Sequence, residues 1–344
     1  MNRFLIIKIS ALGDVVLALP HIQAIAAHHR ADELHLVTGP AAANLFEHCP
    51  GLRVKQINAN QRLGGDGRWG LGRWVRGQGF DGVYDLQGNS VSKKLVRASG
   101  AGLRVGTQPD PVYNRFAPGQ WRRTIDQNAF DRLNQTLAAA GVPQAVPTTG
   151  MVTGPADTDR VEAWMGEKGL TSGHFVVMHA GCNRRWKSKR WPVRYFVQLA
   201  QRLDAAGLPT VWAGALEDGE LNRRLAGFVG IDATGAFTLR QTFVLAARAR
   251  LAVSNDSCPM HLFALTGIPV FSFFGPTNWQ WSHPAGQGRR VIRTEVSCSP
   301  CFKPACPPAR EHACMERITP EGVFERIAAE ICLRPLAGAK GEPR

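Results

Sequence analysis

The sequence predicts an α/β protein made of two doubly wound, Rossmann-like domains, and three observations carry that expectation. At 344 residues the chain is longer than one typical core organises. Short apolar runs alternate with helical patterns, as in parallel sheets covered by helices. That alternation occurs twice, on either side of a stretch rich in Pro, Thr and Gly at 142–155. With 44% apolar and 20% charged residues, both halves can build cores.

In chain order, strands are expected at 4–9, 34–38, 54–57 and 82–86, with helices near 14–28 and 41–48. A second series places strands at 175–179, 209–213, 251–254 and 268–273. Helices near 193–206, 217–228, 239–249 and 260–266 fall between them. The domains then run over 1–150 and 151–335, followed by a flexible tail at 336–344. A last helix near 320–332 is a candidate to pack back across the linker. Two such sheets would direct the carboxyl ends of their strands toward a shared cleft, the expected ligand site.

No apolar run approaches the roughly 20 residues needed to span a bilayer. The opening Met1-Asn2-Arg3 and Phe4-Leu5-Ile6-Ile7 are interrupted by Lys8 and lack a cleavage site, so they read as a buried first strand of a cytoplasmic protein. A formal charge of +14, from 41 Lys and Arg against 27 Asp and Glu, implies an anionic partner. Nucleic acid, a membrane surface and a phosphorylated substrate all satisfy that charge. No recognised nucleic-acid motif accompanies it, so a nucleic-acid partner is not expected.

Four segments carry candidate chemistry. The run Ile9-Ser10-Ala11-Leu12-Gly13-Asp14 follows the first strand, where Asp14 either takes a proton or merely complements a helix dipole. It lacks the G-x-G-x-x-G of a dinucleotide site. The segment from His179 to Pro192 holds Arg184, Arg185, Lys187, Lys189 and Arg190, interleaved with Trp186 and Trp191. Such a cluster after a strand suits a pyrophosphate. Ser254-Asn255-Asp256-Ser257-Cys258-Pro259-Met260-His261 ends a strand at a helix start, which suits a diphosphate or is ordinary capping. Phe273-Phe274-Gly275-Pro276-Thr277-Asn278 turns into the same crevice.

Taken in order, with Tyr84-Asp85-Leu86-Gln87-Gly88, these motifs resemble the ADP-heptose:lipopolysaccharide heptosyltransferases of glycosyltransferase family 9 over nearly the whole chain. The resemblance implies a GT-B architecture with an acceptor-binding N-terminal domain and a donor-binding C-terminal one. It also implies an inverting transfer without metal or cofactor. Asp14 matches the catalytic base, and Lys189, with Lys187 as the register alternative, the lysine on the donor phosphates. Asp256 matches the acid on the donor sugar, with Ser257, Cys258, His261, Gly275 and Thr277 around it. Glu217, beside Asp218 and Glu220, is similar to the acid on the adenosine ribose, though a solvated helix start explains the same acids.

The implied partners are an ADP-sugar and an anionic lipopolysaccharide or lipid A-core acceptor, reached at the inner face of the cytoplasmic membrane. Gly13, Arg62, Lys93 and Arg104 are acceptor-side candidates, with Lys94, Arg97, Arg122 and Arg123 beside them. Arg62, Arg68, Arg73 and Arg76, with Trp69 and Trp74, read as a mobile acceptor- or membrane-facing loop. The alternatives are a GT-B transferase using another nucleotide sugar and, from another class, a basic nucleic-acid-binding protein. The family's usual Gly is Cys258 here, and a turn needing φ > 0 would be strained by it. Pro259 instead favours an extended cap with negative φ. Cys298, Cys301, Cys306 and Cys314 are close enough in sequence to bind one metal and include a C-x-x-C spacing that zinc sites use; they are read as idle thiols, with structural zinc as the alternative.

Overall fold

The structure, a computed structural model, describes residues 1–57, 68–120, 126–148 and 150–332. It divides into two compact units. Unit 1 comprises Met1–Pro155 together with Ala264–Gly267 and Gln280–Gly286, and unit 2 comprises Ala156–Phe263, Ile268–Trp279 and the described residues from Gln287 onward.

Unit 1 carries one six-stranded sheet of β1 (Arg3–Ile7), β2 (Glu33–Thr38), β3 (Leu52–Gln56), β4 (Gly82–Asp85), β5 (Leu103–Gly106) and β6 (Arg115–Phe116). Its order is β3-β2-β1-β4-β5-β6, with every pairing parallel. Unit 2 repeats the pattern with β7 (Val176–His179), β8 (Thr210–Trp212), β9 (Ile231–Asp232), β10 (Leu251–Asn255), β11 (Val270–Phe273) and β12 (Val291–Ile292). There the order is β9-β8-β7-β10-β11-β12, again parallel throughout. Strand order reverses beside β1 in one sheet and beside β7 in the other, and such switch points open a crevice at the strand carboxyl ends.

Parallel strands are covered on both faces, which is why their sequences are continuous apolar runs rather than alternations. Leu5, Ile6 and Ile7 of β1 are fully buried, as are Leu251, Ala252 and Val253 of β10. The helices after these strands start at or within two residues of the expected positions: Leu12–His28 after β1, Val193–Ala205 after β7 and Cys258–Ala264 after β10. The expected helix at 41–48 shortens to Pro40–Ala43 and a 3-10 turn at Asn44–Phe46, and that at 217–228 to a 3-10 turn at Leu216–Asp218 and a helix at Gly219–Ala226. The final helix, Pro320–Ile331, packs on the helix Val193–Ala205 within unit 2.

Two readings of aromatic residues are corrected. The described part of the basic stretch read as a loop is a helix from Arg68 to Gly77, and Trp74 makes edge contacts with His35 and Phe80 at ring separations of 5.7 and 5.8 Å. Trp191, read as part of the basic site, is fully buried and stacks on Phe273 at 4.3 Å while its indole N–H donates to Ile318 O. Trp191 is core, and Trp74, half-buried, packs against the core of unit 1, because burying a Trp outweighs the charges beside it in sequence.

Candidate active site

In unit 1 the crevice lies at the ends of β1 and β4. Asp14 sits in the first turn of Leu12–His28, exposed, with its N–H on Ala11 O at 3.0 Å. Gly13 lies inside that turn. Lys8, just past β1, is buried with its ammonium donating to Leu86 O at 3.1 Å. Burial holds its pKa below the usual lysine value, against the opposing pull of the Asp14 and Asp85 carboxylates. Burial likewise pushes Asp85 up, although Tyr113 Oη donates to it at 2.6 Å and the N–H groups of Gln87 and Gly88 donate at 2.9 Å each. Gly88 has φ +68, and a Cβ there would meet the Thr107 hydroxyl at 2.4 Å, so this turn needs glycine.

Two buried polar atoms at the same strand ends, Ser10 Oγ and Gln87 Oε1, have no hydrogen-bond partner among the described residues. Buried polar groups are almost always satisfied, so these two are the ones to expect against a ligand. Both belong to motifs legible in the sequence, but nothing in residue type distinguished them from their neighbours.

Of the other acceptor-side candidates, Lys93 and Arg104 have structural partners. Lys93 pairs with Asp110 at 2.7 Å, and that bond holds Asp110 below the usual carboxylate range. Arg104 donates to Val112 O at 2.9 Å and to Ala101 O at 2.7 Å. Lys94 and Arg97 are exposed on the helix Ser90–Ser99. Arg62, Arg122 and Arg123 lie outside the described residues, as do the side chains of Arg68 and Trp69.

In unit 2 the ends of β7, β10 and β11 bring predicted donor residues together. Lys189 Nζ stands 2.7 Å from Asp256 Oδ2, and the Thr277 hydroxyl donates to the same oxygen at 2.6 Å. Asp256 is 6% exposed, so this pairing is held in a low-dielectric setting. Lys189 also lies 5.0 Å from the Trp186 ring. Lys187, two residues earlier on the same 3-10 turn, is exposed. Asn255 ties β10 to the basic segment: its amide donates to Ala180 O and Gly181 O, and its carbonyl accepts from the N–H of Trp191 at 2.9 Å.

Ser257 reaches His179 Nδ1 at 3.0 Å, and His179 Nε2 lies 3.4 Å from Asp218. Burial alone would raise Asp218, yet the hydrogen bond and charge of His179 bring it below the usual range. Glu217 beside it is exposed. The sequence reading passed over His179, whose only signal was its position at the end of β7. Cys258 opens the helix Cys258–Ala264 and is absent from the non-glycine residues with positive φ among those described, so it stands in ordinary backbone. His261 is buried in the same helix, and Gly275 is buried beneath the 298–314 segment. Among the described residues no group of three or more His, Cys, Asp or Glu is arranged, as the side chains lie, to hold a metal ion.

Comparison with known proteins gives the chain's family and fold. The family model for glycosyltransferase family 9 (heptosyltransferase) matches residues 68–312. Lipopolysaccharide heptosyltransferase 1 of Pseudomonas aeruginosa is 26% identical over 360 residues, which covers 95% of this chain and 97% of that protein. The family 9 glycosyl transferase structure from Veillonella parvula superposes with a TM-score of 0.79 at 20% identity, covering 96% and 97% of the two chains. The E. coli heptosyltransferase WaaC with ADP-2-deoxy-2-fluoro heptose gives a TM-score of 0.68 at 20% identity, over 95% and 99%. These likenesses establish a shared GT-B fold.

Proposed function

Because the chain belongs to glycosyltransferase family 9, we propose that it transfers a heptose from an ADP-heptose to the inner core of lipopolysaccharide, inverting the anomeric centre and using no metal in the chemical step. The observation that carries this reading is the convergence of Lys189 and Thr277 on Asp256 at the switch point of the second sheet. The relative from Pseudomonas aeruginosa is named as a lipopolysaccharide heptosyltransferase, and the E. coli structure is of a complex with ADP-2-deoxy-2-fluoro heptose.

In this mechanism an acceptor hydroxyl attacks the anomeric carbon as ADP departs from the opposite face. Asp14 takes the hydroxyl proton, which an exposed carboxylate at a strand end is free to do. Lys189 offsets the charge that grows on the leaving diphosphate, with Asp256 holding the ammonium in place before the donor arrives. Asp256 and Thr277 also contact the donor sugar, and Glu217 the ribose. Ser10 Oγ and Gln87 Oε1, buried atoms with no hydrogen-bond partner among the described residues, hydrogen-bond the acceptor sugar. The acceptor is anionic and membrane-borne, so the chain works on the cytoplasmic face of the inner membrane as a peripheral protein. Among the described residues no helix is long and apolar enough to cross a membrane.

The test is an incubation with ADP-heptose and a panel of truncated lipopolysaccharides, read by mass spectrometry, with UDP- and GDP-sugars in parallel. A mass gain of one heptose from the ADP-sugar alone is the expected outcome. Transfer from a UDP- or GDP-sugar in its place would overturn the donor assignment, and transfer from none of them the reaction.

A further inference from the structure

Cys298, Cys301, Cys306 and Cys314 line one cavity of roughly 230 Å3, together with Ser188, Lys303 and Arg310. The segment that bears them is fastened to both loops of the donor site. Ser188, between Lys187 and Lys189, donates from its N–H to Pro304 O at 3.1 Å and from its hydroxyl to Lys303 O at 2.6 Å. His312 Nε2 lies 2.6 Å from Ser188 O.

On the other side, the Ser299 hydroxyl donates to Gly275 O at 2.5 Å and the Phe302 N–H to Pro276 O at 2.7 Å. A Cβ at Gly275 would stand 2.7 Å from Cys314 Sγ, so glycine lets the sulfur lie against the turn that leads to Thr277. The segment is also strained. Phe302, Glu311 and His312 adopt φ of 53, 49 and 52 without being glycine, and such residues persist only where surrounding contacts over-determine them.

We propose that these four cysteines form a closed site for a thiophilic divalent cation, zinc, which clasps the 298–314 segment onto the loops carrying Lys189 and Thr277. The C-x-x-C spacing and four sulfur donors match the tetrahedral, fully protein-ligated zinc of structural sites, and soft thiolates discriminate against magnesium and calcium. The thiols are not gathered around one point as they lie, and binding brings them there by rotation about the single side-chain torsion of each cysteine between staggered wells. Each thiol gives up its proton to solvent as its sulfur bonds zinc. Four thiolates on one Zn2+ leave two surplus negative charges, which Lys303 and Arg310 on the cavity wall offset. The ion takes no part in sugar transfer; it holds the site's shape.

The zinc site stands independently of the donor assignment, whereas its effect on ADP rests on that assignment. The full-length chain, purified without chelator, is analysed for metals and its thiols are titrated with Ellman's reagent before and after an organomercurial. The expected result is about one zinc per chain, four thiols masked until the mercurial releases the metal, and loss of zinc in Cys301→Ser and Cys306→Ser. Cys332→Ser, an exposed thiol outside the cluster, keeps it. Metal-free variants that retain the wild-type circular dichroism should bind ADP at least about fivefold more weakly, because their donor loops are no longer pre-organised. Less than about a tenth of an equivalent of zinc after incubation with a zinc salt would overturn the site. So would all four thiols reacting freely, a measurement on the wild type that needs no variant to fold. Iron at the same stoichiometry would overturn the choice of ion, and unchanged ADP affinity in the zinc-free variants the clasp.

Discussion

Asp256 serves two donors, one cationic and one neutral, with one oxygen: Lys189 and the Thr277 hydroxyl both meet Oδ2. The Lys189 ammonium is thus held where it can be shared between this carboxylate and an incoming diphosphate. Replacing it by Ala removes a charge-assisted bond worth about 1.5–3 kcal/mol, so ADP affinity should fall roughly 10- to 100-fold and adenosine affinity much less. Asp14→Asn should do the reverse, leaving ADP affinity unchanged and lowering kcat by about 10²–10⁴. Calorimetry beside single-turnover kinetics separates the two, and equal losses for ADP and adenosine in the lysine variant would remove the phosphate role. At Cys258 the backbone is not left-handed, so glycine has nothing to relieve there. Cys258→Gly should lower stability by about 0.5–1 kcal/mol, read from urea unfolding, with no gain in ADP affinity.

Among elements, the helix Leu12–His28 is joined to the start of the helix Ala129–Ala139 by His21, whose Nε2 meets Phe130 O at 3.0 Å and whose ring packs on Phe130 at 4.4 Å. Burial is the largest cause that lowers His21 from 6.5 to about 3. The folded state therefore binds the proton less readily than the unfolded one. This stability is fully present above about pH 6.5 and is lost as pH falls toward 3, at about 1.4 kcal/mol per pH unit. Urea midpoints from pH 7 to 4 should show that slope, and His21→Asn should flatten it. Elements legible in the sequence were those with continuous apolar strands and motifs at their ends, because parallel pairing and a crevice demand both. The helix Ser90–Ser99 was not legible: its Asn89 and Ser92 capping box is reciprocal and local, and its serines and lysines blur the apolar stripe of Leu95 and Val96. Pro155–Glu167 starts within the stretch read as linker, since Pro is as much a first-turn residue as a loop residue. At the site, charge and turn chemistry pointed to Lys189 and Asp256, whereas the His179–Asp218 contact spans two strands and leaves no local signature.

For the molecule as a whole, the +14 charge supports the proposed membrane approach. Co-sedimentation with vesicles should rise with their phosphatidylglycerol content and fall steeply between about 0.1 and 0.5 M salt, as the Debye length shrinks. Binding equally to neutral vesicles at both salts would argue against an electrostatic approach. The way unit 1 is assembled bears on how the protein is made. It includes Ala264–Gly267 and Gln280–Gly286, and the Asn128 side-chain amide donates to His283 O at 3.0 Å. At a synthesis rate of about 5–20 residues per second, the segment near His283 leaves the ribosome several to some tens of seconds after Pro155. During that interval the first sheet has formed its strands without its last pieces. A chain truncated after residue 155 should accordingly unfold at lower urea than unit 1 does in the full-length protein. In the cell, the nascent N-terminal half is then a client for chaperones until translation delivers the segments that complete it.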